Sequence, residues 1–517
     1  MDKKSKVFII VSVSVLLIAV LAGRFTNHRI PSHAEQTDGL PDIFPDYRNI
    51  VIPVNIAPLN FRINENAGRY IVVFSDDKGK KIVRASDHGK ITIPRRKWRR
   101  FLLSGINRDF KVEVWARNKK GSWVYYKPWI NHVTGDKLDP YIAFRQINAG
   151  YILWEKMGIY QRNLENFRQT PILLNDRTDR NCMNCHTFCD RNPEKMLLHL
   201  RRPPSGTLLY NDGEVQFLNT ATKYTMSACV YPSWHPDGNL IAFSVNIIHQ
   251  KFHAAGKFIN SVNDAASDIV VYNIAKNMLT TCPDLSTKSL ETLPAWSHDG
   301  RYLYYVSCSG VDKTTPDTAF KYDLLRIAYD NNNGKWGKTD TLIHSKQTGK
   351  SVSFPELSPD GRYMVFCMTD YGYFTVYSPN SDLYIMDLKT QQYEKLPVNS
   401  ETVESFHSWS SNSKWFLFVS KRIDGLYSRV FFSHLDSAGS ASKPFLLPQR
   451  DPDYYEAHVF NFNRPVFVRD KVSVSADRLT RAAYKGVKNI TFDPDVDVDA
   501  LSGATRIERD VLKEHTN

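Results

Sequence analysis

The chain is poor in cysteine and short of acid relative to base: 7 cysteines in 517 residues, and 54 acidic against 67 basic side chains. Four of the cysteines, Cys229, Cys282, Cys308 and Cys367, lack the spacing of a disulfide framework and read as small buried residues of strands. No G-x-S-x-G sequence occurs, which removes the nucleophile elbow of the α/β-hydrolases. Long apolar runs are missing except at the start, where Lys3, Lys4 and Lys6 precede a stretch from Val7 to Ala22. That stretch is marginal for a membrane span and slightly long for the core of a secretory signal. Its lysines favour a cytoplasmic N-terminus and export of the body of the chain. No cysteine directly follows it, which argues against a lipid anchor. Ser32-His33-Ala34 offers a small-residue cleavage pattern, but it lies far from the apolar run. Residues 1–23 are therefore expected to anchor the protein in the inner membrane with its body in the periplasm; the alternative is a cleaved signal.

What is present is a globular composition, 42% hydrophobic and 12% aromatic, with a net charge of +13. That charge suits acidic protein partners or anionic lipid surfaces. The basic cluster Arg95-Arg96-Lys97-Trp98-Arg99-Arg100 reads as a solvated loop or strand edge. Nucleic acid is not expected as a partner of an exported protein. Residues 24–54 are polar, contain prolines and read as a linker. Over 55–135, the runs Tyr70–Phe74, Lys90–Ile93, Phe110–Trp115 and Trp123–Tyr126 are rich in β-branched and aromatic residues between turn clusters, which predicts a small β-sandwich.

The most specific motif is Cys182-Met-Asn-Cys185-His186. C-x-x-C-H is the attachment pattern of c-type haem: the thiols add across two vinyl groups, and the adjacent histidine supplies the proximal imidazole to iron. Export agrees with it. Two other readings stay open: zinc held by Cys182, Cys185, Cys189 and His186 or His199, and a Cys182–Cys185 disulfide.

Around the motif, residues 136–204 read as a helical segment that walls the cofactor. Tyr141–Arg145, Gly150–Trp154 and Met157–Tyr160 carry bulky apolar groups at helical spacings. After the motif, Asn192-Pro193-Glu194 has the form of a helix start, and Pro203-Pro204 ends it. On such a helix Met196 and His199 share a face, which makes both candidates for the distal iron ligand, His199 ahead of Met196.

The chain then becomes repetitive. Pro232-Ser-Trp234-His-Pro-Asp237-Gly238 is followed by Pro294-Ala-Trp296-Ser-His-Asp299-Gly300, by Pro355-Glu-Leu357-Ser-Pro-Asp360-Gly361, and by a decayed copy, His407-Ser-Trp409-Ser-Ser-Asn412-Ser413. The intervals from 234 to 296, 357 and 409 are 62, 61 and 52 residues. Each copy precedes a second β-run: Asp268–Tyr272, Asp323–Ile327, Asp382–Met386 and Arg429–Phe432. Asp-Gly supplies tight turns between strands, and repeats of this length signal a β-propeller. Specifically, the copies resemble the TolB-type propeller repeat, a resemblance covering residues 205–460. It implies a propeller fold and an interaction role, without chemistry of its own. Four blades are visible, and Gly206–Tyr210 with Val215–Phe217 extend the count to five or six. TolB-type propellers also cap some peptidases, but the missing nucleophile elbow argues against that class.

In the tail, 461–517, Asp499-Ala-Leu-Ser502-Gly503-Ala504-Thr505 resembles the D-x-x-S-G-A-T motif of FMN-binding domains in the Rnf and Nqr complexes. The resemblance implies covalent FMN on Thr505. Those domains have substantial sequence before the motif, whereas here about 40 residues separate it from the propeller's expected end; a turn and N-cap before a short helix is the alternative.

The combined expectation is a mainly β protein: N-terminal anchor, β-sandwich, helical haem segment with Cys182, Cys185 and His186, and propeller. Its expected function is that of a c-type cytochrome passing electrons to redox partner proteins. A non-redox propeller interaction protein with structural zinc, and a haem peroxidase-like enzyme, are the alternatives.

Overall fold

The computed structural model describes residues 29–149, 155–252, 260–312 and 314–501. The N-terminal apolar run and Thr505 lie outside the described residues. Among the described residues, no helix is long and apolar enough to cross a membrane. The chain forms two compact units, one from residues up to 137 together with Pro448–His458, the other from 138–447 and 459 onwards.

The first unit is the expected β-sandwich. Arg108–Arg117 is its central strand, pairing with Arg69–Asp76, Trp123–Tyr125 and Trp129–Thr134 in a seven-stranded sheet. A smaller sheet joins Ile43–Phe44, Phe61–Ile63 and Lys90–Ile91. Phe61, Phe74, Trp98, Phe101, Phe110 and Trp129 make edge and stacked contacts in its core. Two expectations are corrected here. The stretch 24–54 is not simply a linker, because Ile43, Tyr47, Ile50, Ile52 and Val54 are buried in this unit. The basic cluster is neither loop nor edge but the helix Arg95–Ser104, which buries Trp98, Phe101 and Leu102 and exposes its arginines. Its apolar residues recur at helical spacing, so one face packs while the cationic face stays in water.

Among the described residues, the second unit holds six four-stranded antiparallel blades in sequence. From inner to outer strand, blade 2 is Met183–Phe188, Lys195–Leu200, Gly206–Asn211 and Glu214–Asn219; blade 3 starts at Cys229–Trp234, blade 4 at Leu290–Trp296, blade 5 at Ser351–Leu357 and blade 6 at Glu404–Trp409. Blade 1 takes Tyr141–Asn148, Gly158–Asn163 and Gln169–Leu174 from one part of the chain, and its inner strand, Phe460–Val468, from another. A late strand thus closes the ring.

This architecture overturns the helical reading of 136–204 and moves the propeller's start and end outward from 205 and 460. Tyr141–Asn148 and Lys195–Leu200 are strands. Strands buried on both faces are apolar on consecutive residues and lose the alternation that identifies them. Beyond the closing strand, the helix Ala476–Lys485 is capped by Ser475, and Lys488–Asn489 and Thr491–Phe492 extend the outer edges of blades 2 and 3 in parallel. Residues 469–492 therefore build the propeller's rim. The described start of the flavin-like motif, Asp499–Leu501, comes directly after that rim.

Candidate cofactor site on an inner propeller strand

Each inner strand contains one residue at positive φ: Cys185 (53°), Tyr231 (50°), Leu293 (53°), Phe354 (49°), Phe406 (45°) and Arg464 (46°). Each coincides with a register shift against the neighbouring strand. A bulge of this kind turns the strand and re-aims a side chain. Cys185, Tyr231, Leu293, Phe354 and Phe406 belong to one buried cluster, with Phe354 and Phe406 rings 5.1 Å apart. The C-x-x-C-H motif is therefore written over the propeller repeat of blade 2. Cys185 takes the bulge position, and His186 takes the place of Pro232, Pro294, Pro355 and Pro465.

Blade 6 also carries histidine at this place. His407 Nε2 lies 2.8 Å from the Val365 carbonyl of the preceding blade, with the Phe354 carbonyl also against the ring. The corresponding carbonyls beside His186 are Ala143 and Arg464. Both rings are buried, at 1% and 4% exposure. Burial is the main cause of their lowered pKa values, to about 3 for His186 and about 4 for His407. His186 is further depressed by the cations Arg464 and Arg145. Both imidazoles are thus neutral at physiological pH. They differ in one atom: the buried His186 Nε2 makes no hydrogen bond of good geometry, although the Ala143 and Arg464 carbonyls lie against its ring. We expect His407→Ala to lower unfolding free energy by about 1–3 kcal/mol through the unpaired carbonyl it leaves; urea titration of the variant checks this.

All seven cysteines are free. Cys182 packs against the cluster of Met183, Leu198 and Leu200, and Cys185 against the central cluster. Cys189 joins Trp234 and Leu197 in a third, its thiol pushed up to about 11, chiefly by burial. The zinc arrangement is consequently not assembled. Among the described residues, no three or more His, Cys, Asp and Glu side chains are grouped to hold a metal ion.

The two distal candidates do not share a face. On a strand, side chains three apart point oppositely. Met196 lies with Ala143 and Leu198 on the side of blade 1. His199, on the other side, has Nδ1 3.2 Å from Thr207 Oγ1, and its pKa is lowered to about 3 by burial and by Arg201. Since His186 lies against blade 1, His199 is on the far face of its own blade. Met196 is opposite Phe188 in the ladder, beyond the bulge.

Two features went unread in the sequence. One is Arg145, the electrostatic neighbour of both Cys182 and Cys185. The other is a cavity of ≈ 550 Å³ lined by residues of the inner strands and the turns after them, among them Phe188, Trp234, Trp296, Glu356 and Arg464. Aligning His186-Thr-Phe188-Cys-Asp190 with the Pro-x-Trp copies was the available signal for blade 2.

The residues fit a c-type haem in their chemistry. There are two free thiols with two residues between them, packed in neighbouring clusters, and a neutral buried imidazole whose Nε2 lacks the well-formed hydrogen bond of its repeat counterpart.

No protein-family model matches the chain. Over 106 residues, 20% of this chain, it is 30% identical to the Tol-Pal system protein TolB of Francisella tularensis subsp. tularensis (strain WY96-3418). The propeller resembles TolB. The match spans 19% of that protein, so the chain covers about a fifth of the curated relatives' length. The same identity and coverage hold for TolB of Francisella tularensis subsp. mediasiatica. Among solved structures, the chain is similar to the Dos1 propeller at 12% identity, covering 44% of this chain and 64% of that one, TM-score 0.28. It is also similar to the Cps50 (Swd1) β-propeller domain of Myceliophteria thermophila at 9%, covering 60% and 86%, TM-score 0.32.

Proposed function

We propose that this chain is an exported c-type cytochrome, held at the periplasmic face of the inner membrane by residues 1–23, that carries single electrons on a propeller scaffold. The observation that carries the reading is the buried, neutral Nε2 of His186, without a well-formed hydrogen bond, within C-x-x-C-H. Nothing in the propeller repeat asks for these cysteines, since blade 6 places a histidine at the same position without them. Bound haem supplies a one-electron iron couple. Cys182 and Cys185 would hold it through thioethers, each S–H adding across a vinyl C=C with no leaving group and no net redox change. His186, kept neutral by its burial, would hold the iron through Nε2. The propeller presents its faces to redox partner proteins, a role supported by the likeness to a Tol-Pal system protein.

The test is expression of the full chain with cytochrome c maturation machinery, followed by denaturation, in-gel haem staining and a pyridine haemochrome spectrum. The expected result is retained haem that disappears in Cys182→Ala/Cys185→Ala. An unstained band beside a matured control cytochrome rejects the reading.

A further inference from the structure

Arg145 stands opposite Asn463 of the closing strand, at the blade position that Cys367, opposite Ser353, occupies in blade 5. A guanidinium there is an addition to the repeat. Its Nη1 donates to the Met183 carbonyl at 3.2 Å and its Nη2 to Asn463 Oδ1 at 2.8 Å, both neutral acceptors. Its Nε is buried and has no partner. Burial is the main cause of its lowered pKa; around it lie Cys182, a second guanidinium, Arg201, then Cys185 and Tyr377, with no carboxylate among them. Arg201 is exposed. Its backbone N–H donates to the Cys182 carbonyl at 3.0 Å. Its Nε and Nη2 donate to Asn184 Oδ1 at 2.7 and 2.9 Å once that amide is oriented to accept them. Neither arginine forms an ion pair among the described residues.

Two cations beside one motif, one of them buried without a counter-ion, are costly in isolation. Guanidinium groups match carboxylates in charge and in the fork of their donors, so the missing component is an anion of that kind. We propose that Arg145 and Arg201 form a receptor for the carboxylates of the macrocycle that Cys182 and Cys185 attach, the two haem propionates being its ligand. This rests on the haem reading and adds an order of events: the arginines orient the macrocycle by its acid edge before the thioethers form.

The test separates the two ideas. Full-length chain made without maturation machinery is titrated with ferric mesoporphyrin IX, whose ethyl groups cannot form thioethers, and with its dimethyl ester, following the Soret band. The wild type is expected to bind the diacid about tenfold or more tightly than the diester. Arg145→Gln/Arg201→Gln is expected to abolish the preference, and Arg201→Lys to restore part of it in that position. Because Arg145→Gln perturbs a buried site, Arg201→Gln alone, at an exposed residue, must also reduce the preference severalfold with an unchanged circular dichroism spectrum. Equal affinity for the two compounds, a preference that survives the double substitution, or no binding of either overturns the receptor. A chain that prefers the diacid yet retains no haem after maturation keeps the receptor and rejects the cytochrome; retained haem without the preference does the reverse.

Discussion

Phe467→Ala lowers the unfolding free energy of the propeller by about 3–5 kcal/mol, and Phe462→Ala by a similar amount. Both side chains are fully buried on the closing strand. Phe467 pairs with Ile142 of blade 1 in the ladder and packs its ring 6.0 Å from Phe432 of blade 6. Phe462 sits 4.8 Å from Phe144, and its N–H donates to the Ser428 carbonyl of blade 6 at 3.0 Å. One strand therefore joins the first blade to the last, and a cavity there weakens the closure of the ring. Calorimetry of the variants should show the main propeller transition moving downward as one unit. A separate early transition with the rest unmoved contradicts closure by this strand. Glu394→Ala, at an exposed position on the outer strand of blade 5, is the control and changes stability by no more than about 0.5 kcal/mol.

Asp264→Asn has the second large effect, and its sign depends on pH. Asp264 is 2% exposed; it accepts from the Tyr373 hydroxyl at 2.9 Å and from Asn246 Nδ2 at 2.9 Å. Tyr231, Tyr322 and Cys308 are its other titratable neighbours, and none is a cation. Burial raises its pKa to about 7 from 3.8, against the bonds from Tyr373, Asn246 and Ser267. Between those values the native state holds a proton that the unfolded chain has released. The stability from this group is complete below 3.8 and is lost as pH rises through 7. From pH 5 to pH 8 the loss is about 3 kcal/mol. Asparagine does not titrate. Asn246 can turn its amide to suit it, because its Oδ1 has no partner. The variant should gain about 3 kcal/mol relative to wild type between pH 5 and pH 8. His186, His199 and His407 act oppositely, losing stability as pH falls below 6.5, but they do so in both proteins. Urea unfolding at the two pH values checks the difference; curves that stay parallel contradict it.

Local chemistry decides how much of this was legible. Blades 3, 4 and 5 announce themselves because Gly238, Gly300 and Gly361 sit at φ of 73°, 71° and 70°, a conformation that favours glycine. Blade 6 is fainter because Ser413 holds the same turn at φ 57°. The outer half of blade 2 was legible in Gly206–Tyr210 and Val215–Phe217; its inner half was hidden because Cys189–Asn192 makes its turn without glycine, the Asn192 N–H donating to the Cys189 carbonyl at 2.8 Å. Blade 1 could not be read locally, since its inner strand comes from Phe460–Val468. The Asn192-Pro193-Glu194 helix signal failed because Met196 to Leu200 are buried on both faces of a sheet, and tertiary burial overrode the local cap. For the site, Cys182, Cys185 and His186 were readable as a motif. Arg145 was not, because its proximity to the cysteines is created only when blade 1 packs on blade 2.

The most direct measurement is the intact mass of the denatured full chain purified from cells that mature c-type cytochromes. A haem-bearing propeller gives the polypeptide mass plus one haem, and the bare mass for Cys182→Ala/Cys185→Ala. A wild-type chain at the bare polypeptide mass, beside a fully matured control cytochrome, contradicts it.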